Sequence, residues 1–266
     1  MKNLINIVTR CVVVAMSVTV IGAARPAGAA TTSTVLRSTN WSGSVQVAPN
    51  STNYTAVKAT FTVPTVTTTP GYQYSSAWVG IGGFTSTDKN LVQTGIEADN
   101  ANGSAQYWAW TDLPPAGAQR LPLAVHAGDV VTASVIEVGN NVWTMTVQDV
   151  TTGTSASRTA IVSPSPKHSA EAILERPTIC KTVCSSVPLA RTTNVVFDPV
   201  SYSTAAPGAT PNWQPFFRTP ARATVYSVSM VDDSRTTVLA TPSSADADSD
   251  GFQVADGSAQ PPPPST

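Results

Sequence analysis

The chain has 266 residues, a formal net charge of −1 and only 12% charged residues, with 21 prolines and 16 glycines. That length suits one large β domain or two small ones, with ample chain for a core. Basic residues form no face for nucleic acid and no charge run reaches five, so no nucleic-acid partner is expected.

The first segment, residues 1–30, reads as a secretory signal peptide. Lys2 and Arg10 supply a basic start, Cys11 to Ala23 an apolar stretch, and Ala27 to Ala30 small residues for cleavage. The apolar run is short for crossing a bilayer. The expectation is therefore an exported protein with no membrane contact in its mature form. Cleavage near Ala30 removes Lys2, Arg10 and Arg25 and no acid. The mature chain then has 15 − 3 = 12 basic residues against 16 acidic, a net charge of −4.

From residue 40 onward the chain reads as strand after strand. SGSVQVA, YTAVKATFTVP, SAWVGIGG, LVQTGIEA, AQYWAWTDL, DVVTASVIEV, VWTMTVQDV, SASRTAIV, EAILERP, NVVFDPVSY, ATVYSVSMV and FQVAD are rich in Val, Thr, Ile and aromatics, with turn residues between them. VGNNVW and VTTGTS predict hairpin turns, and no run has helical periodicity. The fold class is all-β, a sandwich or barrel. No linker divides the chain, so residues 31–256 form one β domain. Residues 257–266, ending AQPPPPST, form a Pro-rich tail, either disordered or a short polyproline II spacer.

Cys11 leaves with the signal. Cys180 and Cys184 in CKTVC remain, and an even, close pair in an exported chain suggests one local disulfide. No second Cys or His pair completes a metal site, and no metal or cofactor is expected. HExxH, GxSxG and P-loop motifs are missing. His126 reads as a strand end entering a turn, and His168 lies in a polar loop. Asp246, Asp248 and Asp250 alternate before Gly251 like the start of a calcium loop. The twelfth position is Gly257 rather than Glu, and no helix flanks it, so a solvated turn is the better reading.

Polar residues inside strands are more informative. Side chains alternate between the faces of a strand. Gln93 and Glu97 share one face of LVQTGIEA, Trp108, Trp110 and Asp112 one face of QYWAWTDL, and Trp78 lies on one face of SAWVGIGG beside Gly80 and Gly82. Glu171, Ile173 and Glu175 share one face of AEAILE. A sheet surface of tryptophans and carboxylates suits an extended polymer, peptide or glycan.

The strings Asn40-Trp41-Ser42-Gly43, YTAVKATFTVP, SSAWVGIGG, LVQTG, QYWAWTDLPP and AEAILE occur in the order and approximate spacing of the glutamic peptidases, the eqolisins of family G1. The resemblance runs from about Thr39 to Asp256. It implies a β-sandwich of two antiparallel sheets, a concanavalin-like jelly roll, with substrate across a concave face. It also implies a catalytic pair, which falls here on Gln93 and Glu175, and substrate-side residues Trp41, Trp78, Trp110, Glu97 and Asp112. The pair Cys180 and Cys184 resembles the family's disulfide loop. Ala172 replaces a usual aromatic, Gly82 a common Asp, and the stretch from Thr31 to Arg37 is shorter than the propeptide of fungal relatives.

The implied chemistry suits these residue types. A carboxylate can take a proton from attacking water and later return one to the leaving amine. A Gln amide can donate to the developing oxyanion, does not titrate, and needs no cofactor. The expectation is a secreted acid endopeptidase, monomeric, acting on polypeptide substrates. The alternative is a glycan-binding or glycan-cleaving jelly-roll protein using two carboxylates, such as Glu175 and Glu97. Gln93 separates the two, because a two-carboxylate mechanism does not need it.

Overall fold

The structure, a computed structural model, describes residues 34–49, 52–86, 88, 90–113, 117–180 and 184–265. The predicted signal peptide falls outside these residues. In chain order the strands are β1 (Thr34–Ser38), β2 (Trp41–Val47), β3 (Ala56–Thr62), β4 (Tyr72–Gln73), β5 (Ser76–Gly82), β6 (Leu91–Ala101), β7 (Ala105–Leu113), β8 (Gly117–Arg120), β9 (Val130–Gly139) and β10 (Val142–Asp149). They continue as β11 (Thr154–Ile161), β12 (Ser169–Glu175), β13 (Thr178–Cys180), β14 (Cys184–Ser186), β15 (Val195–Ser203), β16 (Gln214–Pro215), β17 (Thr224–Val231), β18 (Val238–Pro242) and β19 (Phe252–Asp256). Among the described residues there is no helix, so none is long and apolar enough to cross a membrane.

Hydrogen bonding builds two layers. One runs β8–β7–β6–β5–β12–β2–β17, and the other runs β11–β10–β9–β3–β15–β19–β18. β18 also pairs with the end of β17, which joins the layers along one edge. The architecture is a β-sandwich. Its pairings are antiparallel except that β1 runs parallel to β17, a departure from the expected all-antiparallel sheets.

The layers meet through β5, β6 and β12 on one side and β3, β9, β10 and β15 on the other. The interface is aliphatic and aromatic: Val79, Ile81, Ile96 and Leu174 face Val57, Phe61, Val135 and Phe197 in one buried cluster. Burying side chains of this size contributes roughly 1.5–3 kcal/mol each. β9 shows the alternation of a strand with one solvated face, with Val131, Ala133, Val135 and Glu137 buried in turn. β5 and β12 are buried at every position. Both faces of these two strands are therefore covered, and only one of them faces the other layer.

Both predicted hairpins form, with Asn141 (φ 61°) and Gly153 (φ 72°) supplying the left-handed residues of the turns after β9 and β10. All twelve strand-like runs become strands. β1, β4, β8, β13, β14, β16 and β18 were not anticipated, because most are two to five residues long and are defined by their partners rather than by pattern. His126 lies in a loop before the turn at Ala127–Gly128, not at a strand end. The Pro-rich tail lies against the body of the sandwich: Gln253 donates to the Pro262 carbonyl at 2.6 Å, and Gln260 donates to the Pro242 carbonyl at 3.3 Å. Cys180 and Cys184 are directly opposite in the β13–β14 ladder. Their side chains lie outside the description, and the disulfide remains a proposal.

Candidate active site

The face of β12, β5, β6 and β7 that turns away from the other layer carries the site. Residues directly opposite in a ladder point to the same side, so the registers define rows across the sheet. One row runs Trp41, Glu175, Ser76, Glu97 and Trp108. The next runs Gly43, Ile173, Trp78, Gly95 and Trp110. The third runs Val45, Glu171, Gly80, Gln93 and Asp112. Every site residue proposed from sequence, the cysteine pair apart, thus shares one face. The side chains are covered as well: Trp41, Trp78 and Trp110 are at most 2% exposed.

Glycine makes this face possible. A Cβ on Gly95 would come within 2.6 Å of the Trp78 Cβ, so the cross-strand glycine leaves the room that Trp78 fills. Gly43 sits at φ 152°, where a Cβ would press to 2.3 Å from the Ala172 carbonyl oxygen of β12. The last residue of the Asn40-Trp41-Ser42-Gly43 string thereby lets β2 lie against the site strand.

Glu175 is tied to the tryptophans. The Trp78 indole N–H donates to Glu175 Oε2 at 2.8 Å, and the Trp78 ring meets Trp41 edge-on at 5.1 Å between centroids. Such an aromatic pair adds about 0.5–1.5 kcal/mol beyond its area. The loop carrying Asn40 is fastened here too. The Arg176 N–H donates to the Asn40 carbonyl at 2.7 Å, and the Arg176 guanidinium donates to the Thr39 carbonyl and to Asp233. Sequence reasoning missed Arg176. Its only signal was its place directly after the AEAILE string.

Gln93 has a different neighbour. Its Nε2 donates to Asp112 Oδ2 at 3.4 Å, while its buried Oε1 has no hydrogen bond among the described residues. By register Gln93 is level with Glu171, across Gly80. Glu175 stands four residues further along β12. The row of Trp78 lies between them.

Glu171 is fully buried. Burial drives its carboxyl well above the usual glutamate range. The nearby Ser169 hydroxyl offsets part of that rise, and Asp88 adds to it. Neither of its oxygens has a hydrogen bond within 3.5 Å among the described residues. Asp88 is itself committed: it accepts from the backbone N–H of Lys167 and His168 and pairs with His168 Nδ1 at 2.8 Å. His168 is thereby a loop fastener in a dyad with no nucleophile assigned. Another buried in-strand glutamate, Glu137, is structurally accounted for, accepting from the Asn141 N–H at 2.9 Å and lying 3.4 Å from the Lys167 ammonium.

The family model described as the peptidase A4 family matches residues 39–248, a span that holds every residue of this face. Aspergillopepsin-2 of Aspergillus niger is 30% identical over 142 residues, 46% of this chain; the match spans about half of that relative, 49% of its length. Among solved structures, scytalido-glutamic peptidase with a peptide-based transition state analog superposes with a TM-score of 0.66 at 20% identity, over 82% of this chain and 98% of the other. SCP-B, an eqolisin-family peptidase in complex with the tripeptide Ala-Ile-His, gives 0.63 at 20% identity over the same shares. The aspergilloglutamic peptidase of Aspergillus niger gives 0.53 at 22% identity, over 69% of this chain and 99% of that one. At these identities the likeness establishes the fold.

Proposed function

The chain belongs to the peptidase A4 family, the glutamic peptidases, and on that premise we propose that it is a secreted acid endopeptidase whose reaction is carried by Gln93 and Glu175. The observation that carries the assignment is the environment of Glu175. It is a carboxylate, 6% exposed, in a tryptophan-lined face, and it accepts a hydrogen bond from the Trp78 indole. Glu171, the same residue type on the same face, is fully buried and has no indole donor.

In the proposed reaction a polypeptide lies over the face with its scissile carbonyl between Gln93 and Glu175. Glu175 takes a proton from water as the water adds to the carbonyl carbon. The Gln93 amide N–H donates to the oxygen that becomes negative. Glu175 then returns the proton to the leaving amine as the C–N bond breaks. Gln93 lies two strands over and four residues along from Glu175, so this mechanism requires the substrate carbonyl and its water to span the row of Trp78. Trp41 and Trp78 wall the nucleophile side, while Trp110, Glu97 and Asp112 line the rest of the face. The protein acts as a monomer.

The test is cleavage of an acid-denatured protein by the purified mature chain from strongly acid to neutral pH, with inhibitors of each mechanistic class. Activity should be confined to acid. It should survive EDTA, thiol alkylation and serine-directed phosphonylation, and respond poorly to compounds shaped to bridge two aspartates. Activity only at neutral pH, or abolished by EDTA, would overturn the assignment.

A further inference from the structure

A second group of carboxylates lies in the other layer. Asp198 is on β15, and Asp246 and Asp250 are in the turn between β18 and β19. One oxygen from each lies within 4.8 Å of the other two. The alternation of Asp246, Asp248 and Asp250 was visible in the sequence, yet the folded group differs: Asp248 is exposed, and Asp198, some fifty residues earlier, takes its place.

Two features separate this group from an ordinary acidic turn. Asp246 is only 7% exposed. Its Oδ1 accepts the N–H of Ser249 at 3.0 Å and of Asp250 at 3.1 Å, but its buried Oδ2 has no hydrogen bond among the described residues. Asp250 Oδ1 is likewise buried without a hydrogen bond among the described residues. Second, the space between the oxygens is kept clear by Gly251. A Cβ there would come within 2.0 Å of Asp246 Oδ2 and 2.9 Å of Asp198 Oδ1. Gly251 is not in the left-handed region, so space rather than backbone conformation requires the glycine. Buried carboxylate oxygens that converge with no donor between them are costly, and pairing with a cation removes the cost. Arg218 reaches this turn at the Asp248 carbonyl, 3.4 Å away.

We propose that Asp198, Asp246 and Asp250 form a binding site for a hard divalent cation of calcium's size, which fastens the β18–β19 turn onto β15. The donors are all oxygen, the preference of calcium and magnesium. Oxygens within 4.8 Å of one another can share a cation held at about 2.3–2.6 Å, and calcium's flexible coordination accepts such a set more readily than the near-ideal octahedron that magnesium demands. Backbone hydrogen bonds already dock the turn at its edges, from Val200 to Asp250, Phe217 to Ser249 and Asp246 to Gly251. The cation completes that docking from inside. Gln93 and Glu175 belong to the opposite layer, so the cation supports stability and takes no part in the chemistry.

The experiment uses the purified mature chain, stripped with a chelator, near neutral pH. Thermal unfolding is followed with calcium chloride, magnesium chloride, or sodium chloride at matched ionic strength, and calcium binding is measured by calorimetry. Calcium should bind with one site per chain and raise Tm on the order of 5 °C once it exceeds its Kd a hundredfold, with magnesium weaker. The combined Asp246→Asn and Asp250→Asn variant should lose both responses. If that variant does not fold, Asp198→Asn alone should bind calcium at least tenfold more weakly. No binding heat and no Tm difference between calcium and sodium in the parent would overturn the proposal, as would undiminished calcium binding in these variants.

Discussion

The two ends of β12 carry the same residue on the same face, and they could hardly be more different. Glu175 is 6% exposed, accepts a hydrogen bond from the Trp78 indole, and stands beside Trp41 at the start of β2, where Arg176 pins the preceding loop. Glu171, four residues back, is sealed off, with no hydrogen bond to its oxygens among the described residues and its carboxyl driven toward the protonated form. Strand position and residue type do not assign a role to a carboxylate. Its donors and its access to water do. The contrast predicts that isosteric changes at the two ends will have separate consequences, one in chemistry and one in stability.

The largest expected effect is at the Glu175 end. Glu175→Gln keeps shape and volume but cannot accept a proton, so turnover should fall at least ~10³-fold, within the range of general acid–base catalysis. The folded state should be retained, as read by near-ultraviolet circular dichroism. An active Glu175→Gln beside a dead Glu171→Gln would reverse the assignment of the two ends. Gln93→Ala should follow at roughly 10²–10³-fold, the range for one oxyanion donor. Because Gln93 is level with Glu171 rather than Glu175, this variant also tests whether substrate spans the rows. Near-normal turnover of a folded Gln93→Ala protein would sink the mechanism.

Much of this arrangement was legible in the sequence. Alternation along LVQTG, QYWAWTDL and AEAILE placed Gln93, Glu97, Trp110, Asp112, Glu171 and Glu175 correctly on faces, because a period of two fixes the side of a strand once it is buried. The rows were not legible, since register depends on which strands become neighbours. Gln93 being level with Glu171 could not be read from either motif alone. β18, which joins the layers, was missed because VLATP is short and has no alternation that turn residues could frame. Asp198 was missed for the same kind of reason: its partners are about fifty residues away, and only the β15–β19 ladder brings them together.

A smaller effect is expected from the group that distinguishes the two ends. Trp78→Phe removes the indole donor to Glu175 while keeping most of the ring that packs on Trp41. A hydrogen bond to a charged group contributes about 1.5–3 kcal/mol, so turnover should drop on the order of ten- to a hundredfold. Stability should fall less than it would for Trp78→Ala, which also empties the space beside Gly95. Unchanged turnover in Trp78→Phe would mean that the indole does not support the active carboxylate.

The smallest effect on turnover belongs to the sealed end, and its signature is in stability. Glu171→Gln should change kcat/KM only a few-fold at acid pH. In the unfolded chain Glu171 ionises near the usual value of 4.5, whereas in the folded protein burial holds its proton to well above that. Between the two values the folded state binds more protons than the unfolded state, so stability declines as pH rises through this window. The slope can reach roughly 1.4 kcal/mol per pH unit. Below the window Glu171 is protonated in both states and costs nothing through ionisation. Gln cannot titrate, so any penalty for its buried amide is a constant offset. The acids near Asp246 contribute equally to parent and variant and cancel. Urea unfolding of both proteins at pH 4, 5.5 and 7 should therefore show the variant gaining on the parent as pH climbs, with the smallest advantage in acid. Parallel stability curves would mean that Glu171 ionises in the folded protein as freely as in the unfolded chain, and the contrast between the two ends of β12 would lose its physical basis.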